Sequence, residues 1–168
     1  MYTEEAYNFY RDHILAPIRQ KGELAARYDF PISGTVPFRD WEIFCAILTG
    51  DNYTGQGGGH DLTRHEVKSA VKGSSFEYQY HRESGFEKLA GERSVCHLFI
   101  SYEEEYRNIE VRIASPLLIQ KKLSQWRDEY ESAYKEDGRQ RFRKSISYGE
   151  MKLISLRIME IIDGRLQP

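Results

Sequence analysis

Two cysteines in 168 residues cannot form a disulfide framework, and Cys45 and Cys96 lie far apart within apolar segments. Both therefore read as buried, reduced thiols, and the chain as a cytoplasmic protein. No apolar run is long enough to span a membrane. The start, Met1-Tyr2-Thr3-Glu4-Glu5, is neither basic nor followed by an apolar stretch, so no signal region is expected. A strongly basic balance is missing too: the net charge of −2 argues against an indiscriminate, histone-like nucleic-acid binder. It leaves room for an enzyme that uses a local basic face. There is no Gly-X-Ser-X-Gly elbow, no His-Glu-X-X-His and no nucleotide-binding loop. His60, His65 and His81 match no closed zinc pattern with either cysteine, and no Cys-X-X-Cys occurs.

What the chain does have is hydrophobic content of 40% and aromatic content of 13%, enough at this length for one self-supporting core. Residues 1–168 are expected to form a single domain, with a helical part over 1–50 and a sheet core over 51–168. Thr3 is expected to cap a first helix, with Glu4 and Glu5 near its positive end and an apolar stripe of Ala6, Tyr7, Tyr10 and Ile14. Pro17 should kink that helix or start a second piece reaching towards Arg27. Residues 31–37 read as a loop. Trp41, Phe44, Cys45 and Leu48 recur at helical spacing over 38–49, and Gly50 closes that helix.

The stretch after the glycine-rich segment 51–59 carries the chemistry. Asp61 is followed by Glu66-Val67-Lys68. On a straight strand Asp61 and Glu66 would lie on opposite faces. If the chain reverses at Thr63-Arg64, the two acids fall opposite each other, with Cβ atoms roughly 4.5–5.5 Å apart. Thr-Arg suits a tight turn poorly, so the reversal is expected as a bend or bulge. Glu66 and Lys68 then share a face. Two carboxylates that converge in this way repel unless a cation lies between them. Such a cation can also activate a water against a phosphodiester. Whether Glu42 or Asp51 adds a further acid is open at this stage. The ordinary reading of the same residues is an exposed strand face after a turn aspartate.

Asp61 with Glu66-Val67-Lys68 resembles the PD-(D/E)XK nuclease superfamily, which includes restriction endonucleases, repair nucleases and Holliday-junction resolvases. His60 stands where many members have proline, and the gap to Glu66 is short. The resemblance implies a restriction-endonuclease-like α/β fold, a mixed sheet flanked by helices. It implies Mg2+ or Mn2+ bound by Asp61, Glu66 and the Val67 carbonyl, with Lys68 orienting or helping to deprotonate the attacking water. The implied activity is hydrolysis of double-stranded DNA by a restriction-type endonuclease. Two symmetric sites in a homodimer suit a two-fold recognition sequence. The alternative is a non-catalytic nucleic-acid-binding or assembly protein on the same scaffold.

Beyond Lys68 the strand should end near Lys72-Gly73. Residues 76–81 alternate aromatic and polar side chains and read as strand or helix start. Gln79 and His81 would approach the site, as candidates to contact DNA or an ordered water, if that segment packs beside the Glu66 strand. Residues 95–102 and 109–115 read as paired strands joined by an acidic turn at 103–105. Ser115-Pro116 opens a helix with Ile119, Leu123, Trp126 and Tyr130 on its buried face. Arg139, Arg141, Arg143 and Lys144 form a basic run around Phe142 suited to phosphate contact. If it is a strand, the three arginines point one way and Phe142 the other. Solvation, with Glu136 and Asp137 as balance, is the ordinary reading. Ser147 and Glu150 have capping-box spacing, and 158–162 is either a helix end or a last strand.

Overall fold

The apolar stripe of the first helix works as the sequence predicts, but the helix begins and continues differently. In a computed structural model, which describes residues 1–30, 36–55, 59–103, 105–136 and 141–168, α1 (Thr3–Phe9) passes directly into a π-helical stretch (Tyr10–Leu15) and then α2 (Ala16–Ala26). Pro17 sits in the first turn of α2. The wider π turn just before it accommodates a residue that lacks an N–H and crowds the preceding turn. Thr3 does not cap α1. The capping position is Tyr2, whose side chain makes no capping bond. The Tyr2 N–H donates instead to the Leu48 carbonyl at 2.9 Å, tying the chain start to the next helix.

That helix, α3 (Phe38–Thr49), buries Trp41, Glu42, Phe44, Cys45 and Leu48. Gly50 ends it in the left-handed conformation, φ 64°. A side chain there would be strained, and its Cβ would lie 2.7 Å from the Tyr2 ring.

The main sheet has five strands in the order β1 (His65–Val71), β3 (Cys96–Tyr102), β4 (Ile109–Ala114), β6 (Leu156–Ile162) and β7 (Arg165–Leu166). β1 runs parallel to β3, and the remaining pairs are antiparallel. A parallel pair needs a long crossover. Here the crossover holds β2 (Phe76–His81) and α4 (Gly85–Glu92). β2 pairs with β5 (Arg141–Ile146) in a separate two-stranded antiparallel sheet. The last two helices are α5 (Pro116–Glu136) and α6 (Tyr148–Leu153), the latter capped by Ser147 Oγ accepting from the Glu150 N–H at 3.2 Å.

Consecutive residues of β3 feed opposite cores. Leu98 and Ile100 join Val111, Ile161, Tyr10, Ile14, Trp41 and Phe44 on the side covered by α1 to α3. Phe99 joins Phe76, Tyr78, Tyr80, Ile119, Leu123 and Trp126 on the side covered by α5 and the small sheet. A central strand buried on both faces reads as a continuous apolar run, which Cys96 to Ile100 nearly is. The result is a single-domain α/β fold, a mixed sheet flanked by helices. Two elements, α4 and β7, depart from the sequence expectations, and 158–162 takes the strand alternative. Of the acidic turn, Glu104 lies outside the described residues, as do 31–35 of the expected loop.

Candidate active site

β1 carries Glu66 and Lys68 on the sheet face that looks towards β2 and α4. Glu66 is completely buried. Lys68 Nζ donates to Glu66 Oε1 in a short ion pair. The Lys68 ammonium also stands 4.7 Å from the centre of the Tyr78 ring, a favourable cation–π position.

Asp61 reaches the same place through a bend, not a hairpin. Tyr53 and Leu62 form an isolated antiparallel bridge. The Leu62 N–H donates to the His65 carbonyl at 2.9 Å, which reverses the chain over Thr63-Arg64. Two further bonds lock the acids together. The Asp61 N–H donates to Glu66 Oε2 at 3.1 Å, and the Val67 N–H donates to Asp61 Oδ2 at 3.0 Å. The N–H and C=O of one strand residue point to the same side of the strand. The Val67 carbonyl therefore faces the edge of β1 on which Asp61 lies.

α4 completes the cluster with two residues that the sequence reading missed. Lys88 Nζ lies 4.0 Å from Glu66 Oε1 and 3.7 Å from Glu92 Oε1. Glu92 is fully buried and accepts a hydrogen bond from the Tyr80 hydroxyl at 2.5 Å, while its Oε1 has no hydrogen-bond partner. The signal was present: Lys88 and Glu92 have the i, i+4 spacing of a helical ion pair.

Of the two extra acids in question, Glu42 joins and Asp51 does not. Glu42 is nearly buried and paired with Arg39 Nη1 at 2.6 Å. Burial and the nearby Asp61 charge push its carboxyl up. Asp51 instead supports the bend. It accepts from the Asn52 N–H, from the Arg64 N–H and from His65 Nδ1 at 2.9, 2.8 and 2.7 Å. His60 bonds through Nδ1 to the Leu62 carbonyl at 2.5 Å. Both histidines thus shape the chain around the acids.

Four acids face three cations, and burial sets how they share protons. Burial works against the Glu66 charge, but Lys68 and Lys88 outweigh it and hold the carboxyl down. Burial and the Glu66 charge push Glu92 up. Burial and Glu66 likewise raise Asp61. Burial disfavours the Lys68 ammonium, yet Glu66, Glu92 and Asp61 together raise it, so Lys68 keeps its proton. Among the described residues no three Asp, Glu, His or Cys side chains are grouped closely enough to hold one metal ion.

The basic run is split. Gln79 lies opposite Arg143 and His81 opposite Arg141 in the β2–β5 register, so these four side chains share one face. Tyr78 and Tyr80, on the other face of β2, are the ones that meet Lys68 and Glu92. Gln79, Arg141 and Arg143 therefore point away from the acids, because β2 pairs with β5 and not with β1. Lys144 is on the inner face with Phe142 and is bonded to Glu129. Arg139 lies outside the described residues, as does Asp137.

No known family matches the chain, and no curated protein does. Among the described residues no helix is long and apolar enough to cross a membrane.

Proposed function

We propose that the chain is a divalent-metal-dependent DNA endonuclease of restriction type that hydrolyses phosphodiester bonds. The observation that carries this reading is the reciprocal lock of Asp61 and Glu66-Val67, with Lys68 bonded to the same glutamate. The donor chemistry suits Mg2+ or Mn2+, since carboxylates and a backbone carbonyl are hard oxygen ligands. Oε1 of Glu92 makes no hydrogen bond and has only the Lys88 ammonium, 3.7 Å away, beside it. Asp61, Glu66 and the Val67 carbonyl would hold the ion, and each carboxylate oxygen already in a hydrogen bond keeps a further lone pair. When bound, the ion would stabilise negative charge on the phosphate and lower the pKa of a coordinated water.

Lys68 keeps its proton at Nζ and serves as a fixed donor, which favours orienting a water or a phosphate oxygen over removing a proton. Lys88 offsets the charge of Glu66 and Glu92 as a phosphate approaches. Tyr78 and Tyr80 wall the site from solvent on the β2 side, both being fully buried. Double-stranded DNA as substrate and a homodimer as the working form belong to this proposal. Residues Arg141 and Arg143, turned away from the acids, fit a more distant backbone contact.

One observation favours the second reading, a non-catalytic nucleic-acid-binding or assembly protein. Lys68 and Lys88 already compensate Glu66, so the cluster is a self-contained ion-pair network. Incubation of supercoiled plasmid with magnesium or manganese, wild type beside Asp61→Asn, decides between them. Nicking by the wild type alone supports the nuclease. Absence of nicking with either metal, joined to no heat of metal binding in calorimetry, supports the second reading.

A further inference from the structure

The surface beside the acids is aromatic where a duplex-binding face is expected to be basic. Phe38 is 69% and Tyr53 55% exposed. They are not scattered. The Arg39 guanidinium carbon lies 4.6 Å from the centre of the Tyr53 ring and 5.6 Å from that of Phe38. Its Nη1 is fixed 2.6 Å from Glu42 Oε2. The guanidinium is thus held between two rings by a carboxylate that belongs to the acidic cluster.

The position of this group relative to the site follows from the backbone. Tyr53 is bridged to Leu62, the neighbour of Asp61, and the Thr54 N–H donates to the Asp61 carbonyl at 3.4 Å. Phe38 and Arg39 open α3, the helix that delivers Glu42. The Tyr53 ring therefore stands beside the Asp61 segment, and Phe38 and Arg39 one helical turn before Glu42, at the rim of the site. The basic face of the small sheet, by contrast, is turned away.

A paired base offers its ring faces only to its neighbours in the stack, so exposed rings gain little from an intact duplex. An unpaired base offers a free face. Aromatic rings with an arginine between them are the usual platform for it, with sequence-tolerant stacking from the rings and cation–π and phosphate contact from the guanidinium.

Resting on the nuclease reading for the identity of the neighbouring site, we infer that Phe38, Arg39 and Tyr53 form a stacking platform for unpaired DNA nucleotides adjoining the scissile phosphate. Within the nuclease reading this replaces the fully paired site of a restriction-type enzyme with a duplex that carries a locally single-stranded segment, such as a bubble, gap or flap.

The test uses the full chain, with EDTA present so that nothing is cut. The probes are a single-stranded DNA oligonucleotide carrying 2-aminopurine and the same oligonucleotide annealed to its complement. Stacking on the platform should quench 2-aminopurine in the single strand. Phe38→Ala with Tyr53→Ala should weaken single-strand binding about tenfold, in keeping with the loss of base–aromatic stacking, and duplex binding less than twofold. Phe38→Trp should retain binding and show quenching of its own emission. Both rings are exposed, so the double variant should unfold at the wild-type temperature. No single-strand binding by the wild type, no loss in the double variant, or an equal loss on both probes would overturn the inference. The two readings fail separately. A protein that quenches the probe through these rings but nicks no DNA keeps the platform and loses the nuclease. One that cuts bubbles and paired duplex equally, with rings intact or removed, keeps the nuclease and loses the platform.

Discussion

Asp61 and Glu66 are joined through the main chain of the aspartate, whose N–H donates to Glu66 Oε2 at 3.1 Å. The Asp61 carboxylate is spent on the other side of the bend, accepting the Val67 N–H at 3.0 Å. An amide oxygen can accept the same bond. Asp61→Asn should therefore leave the bend and the unfolding temperature within about a degree of wild type while removing one negative ligand. If the chain binds Mg2+ or Mn2+ here, a metal concentration tenfold above Kd should stabilise the wild type by about 1.4 kcal/mol. For a chain of this size that is a rise of roughly 3–5 °C. The rise should vanish in Asp61→Asn, and an equal rise in both proteins places the ion elsewhere.

Lys68→Ala has a second consequence besides any loss of cleavage. Glu66 is completely buried, and Lys68 is its nearest cation. Removing one partner of a buried pair typically costs about 3–5 kcal/mol, because the other charge is left uncompensated. Here Lys88, 4.0 Å from Glu66 Oε1, takes over part of that role, so the loss should fall near the lower end. Glu66→Ala leaves Lys68 and Lys88 facing Glu92 and should also destabilise measurably by urea unfolding. A double change, Glu66→Leu with Lys68→Met, should be milder than the sum of the single ones. Strict additivity would show that the pair contributes nothing as a pair.

The helices and the central strands were legible because their signal is periodic and local. Trp41, Phe44, Cys45 and Leu48 mark α3, and Ile119, Leu123, Trp126 and Tyr130 mark α5; all eight are buried. Asp61, Glu66 and Lys68 were legible because they are close in sequence and one bend suffices to gather them. Lys88, Glu92 and Glu42 were harder, since their place depends on packing between elements. α4 is short and contains two glycines, Gly85 and Gly91, so its own apolar pattern is faint. The partner of β2 was unreadable for a related reason. Its alternation fixes which residues face inward but not which strand lies beside it, and that choice sent Gln79 away from the acids.

Gly85 explains how α4 comes close enough to deliver Lys88 and Glu92. A Cβ there would lie 2.7 Å from Tyr80 Cβ and 2.9 Å from Tyr130 Cε2. The Tyr130 ring cannot swing aside freely, because its hydroxyl donates to the carbonyls of His81 and Arg82 at 2.9 and 3.0 Å. Gly85→Ala should thus destabilise by about 1–3 kcal/mol, although alanine is the better helix former. It should also loosen the Tyr80–Glu92 contact. Chemical denaturation of Gly85→Ala beside Gly149→Ala is a matched comparison, as a Cβ at Gly149 meets nothing within 4 Å. Equal effects of the two changes would remove the close-packing argument.

His97 gives the fold a defined response to acid. It is fully buried on β3, with Nε2 2.8 Å from the Glu92 carbonyl and Nδ1 2.9 Å from the Tyr78 hydroxyl. A carbonyl only accepts, so Nε2 carries the hydrogen and Nδ1 accepts from the tyrosine. A second proton has no acceptor unless the hydroxyl turns away. Burial pushes the imidazole down to about 4 from its ordinary 6.5. A group depressed in the folded state stabilises the fold fully above its unfolded pKa, and that stability is lost as pH falls through the folded value. The window is therefore about pH 6.5 down to 4, and at 1.36 kcal/mol per pH unit the loss amounts to about 3 kcal/mol. The raised carboxyls of Asp61 and Glu42 act in the opposite sense, gaining stability on acidification. The histidine is isolated by subtraction. Unfolding free energies of wild type and His97→Gln, measured from pH 7 to pH 4, should converge as the wild type loses its advantage. Curves that stay parallel across that range would mean His97 does not titrate with folding.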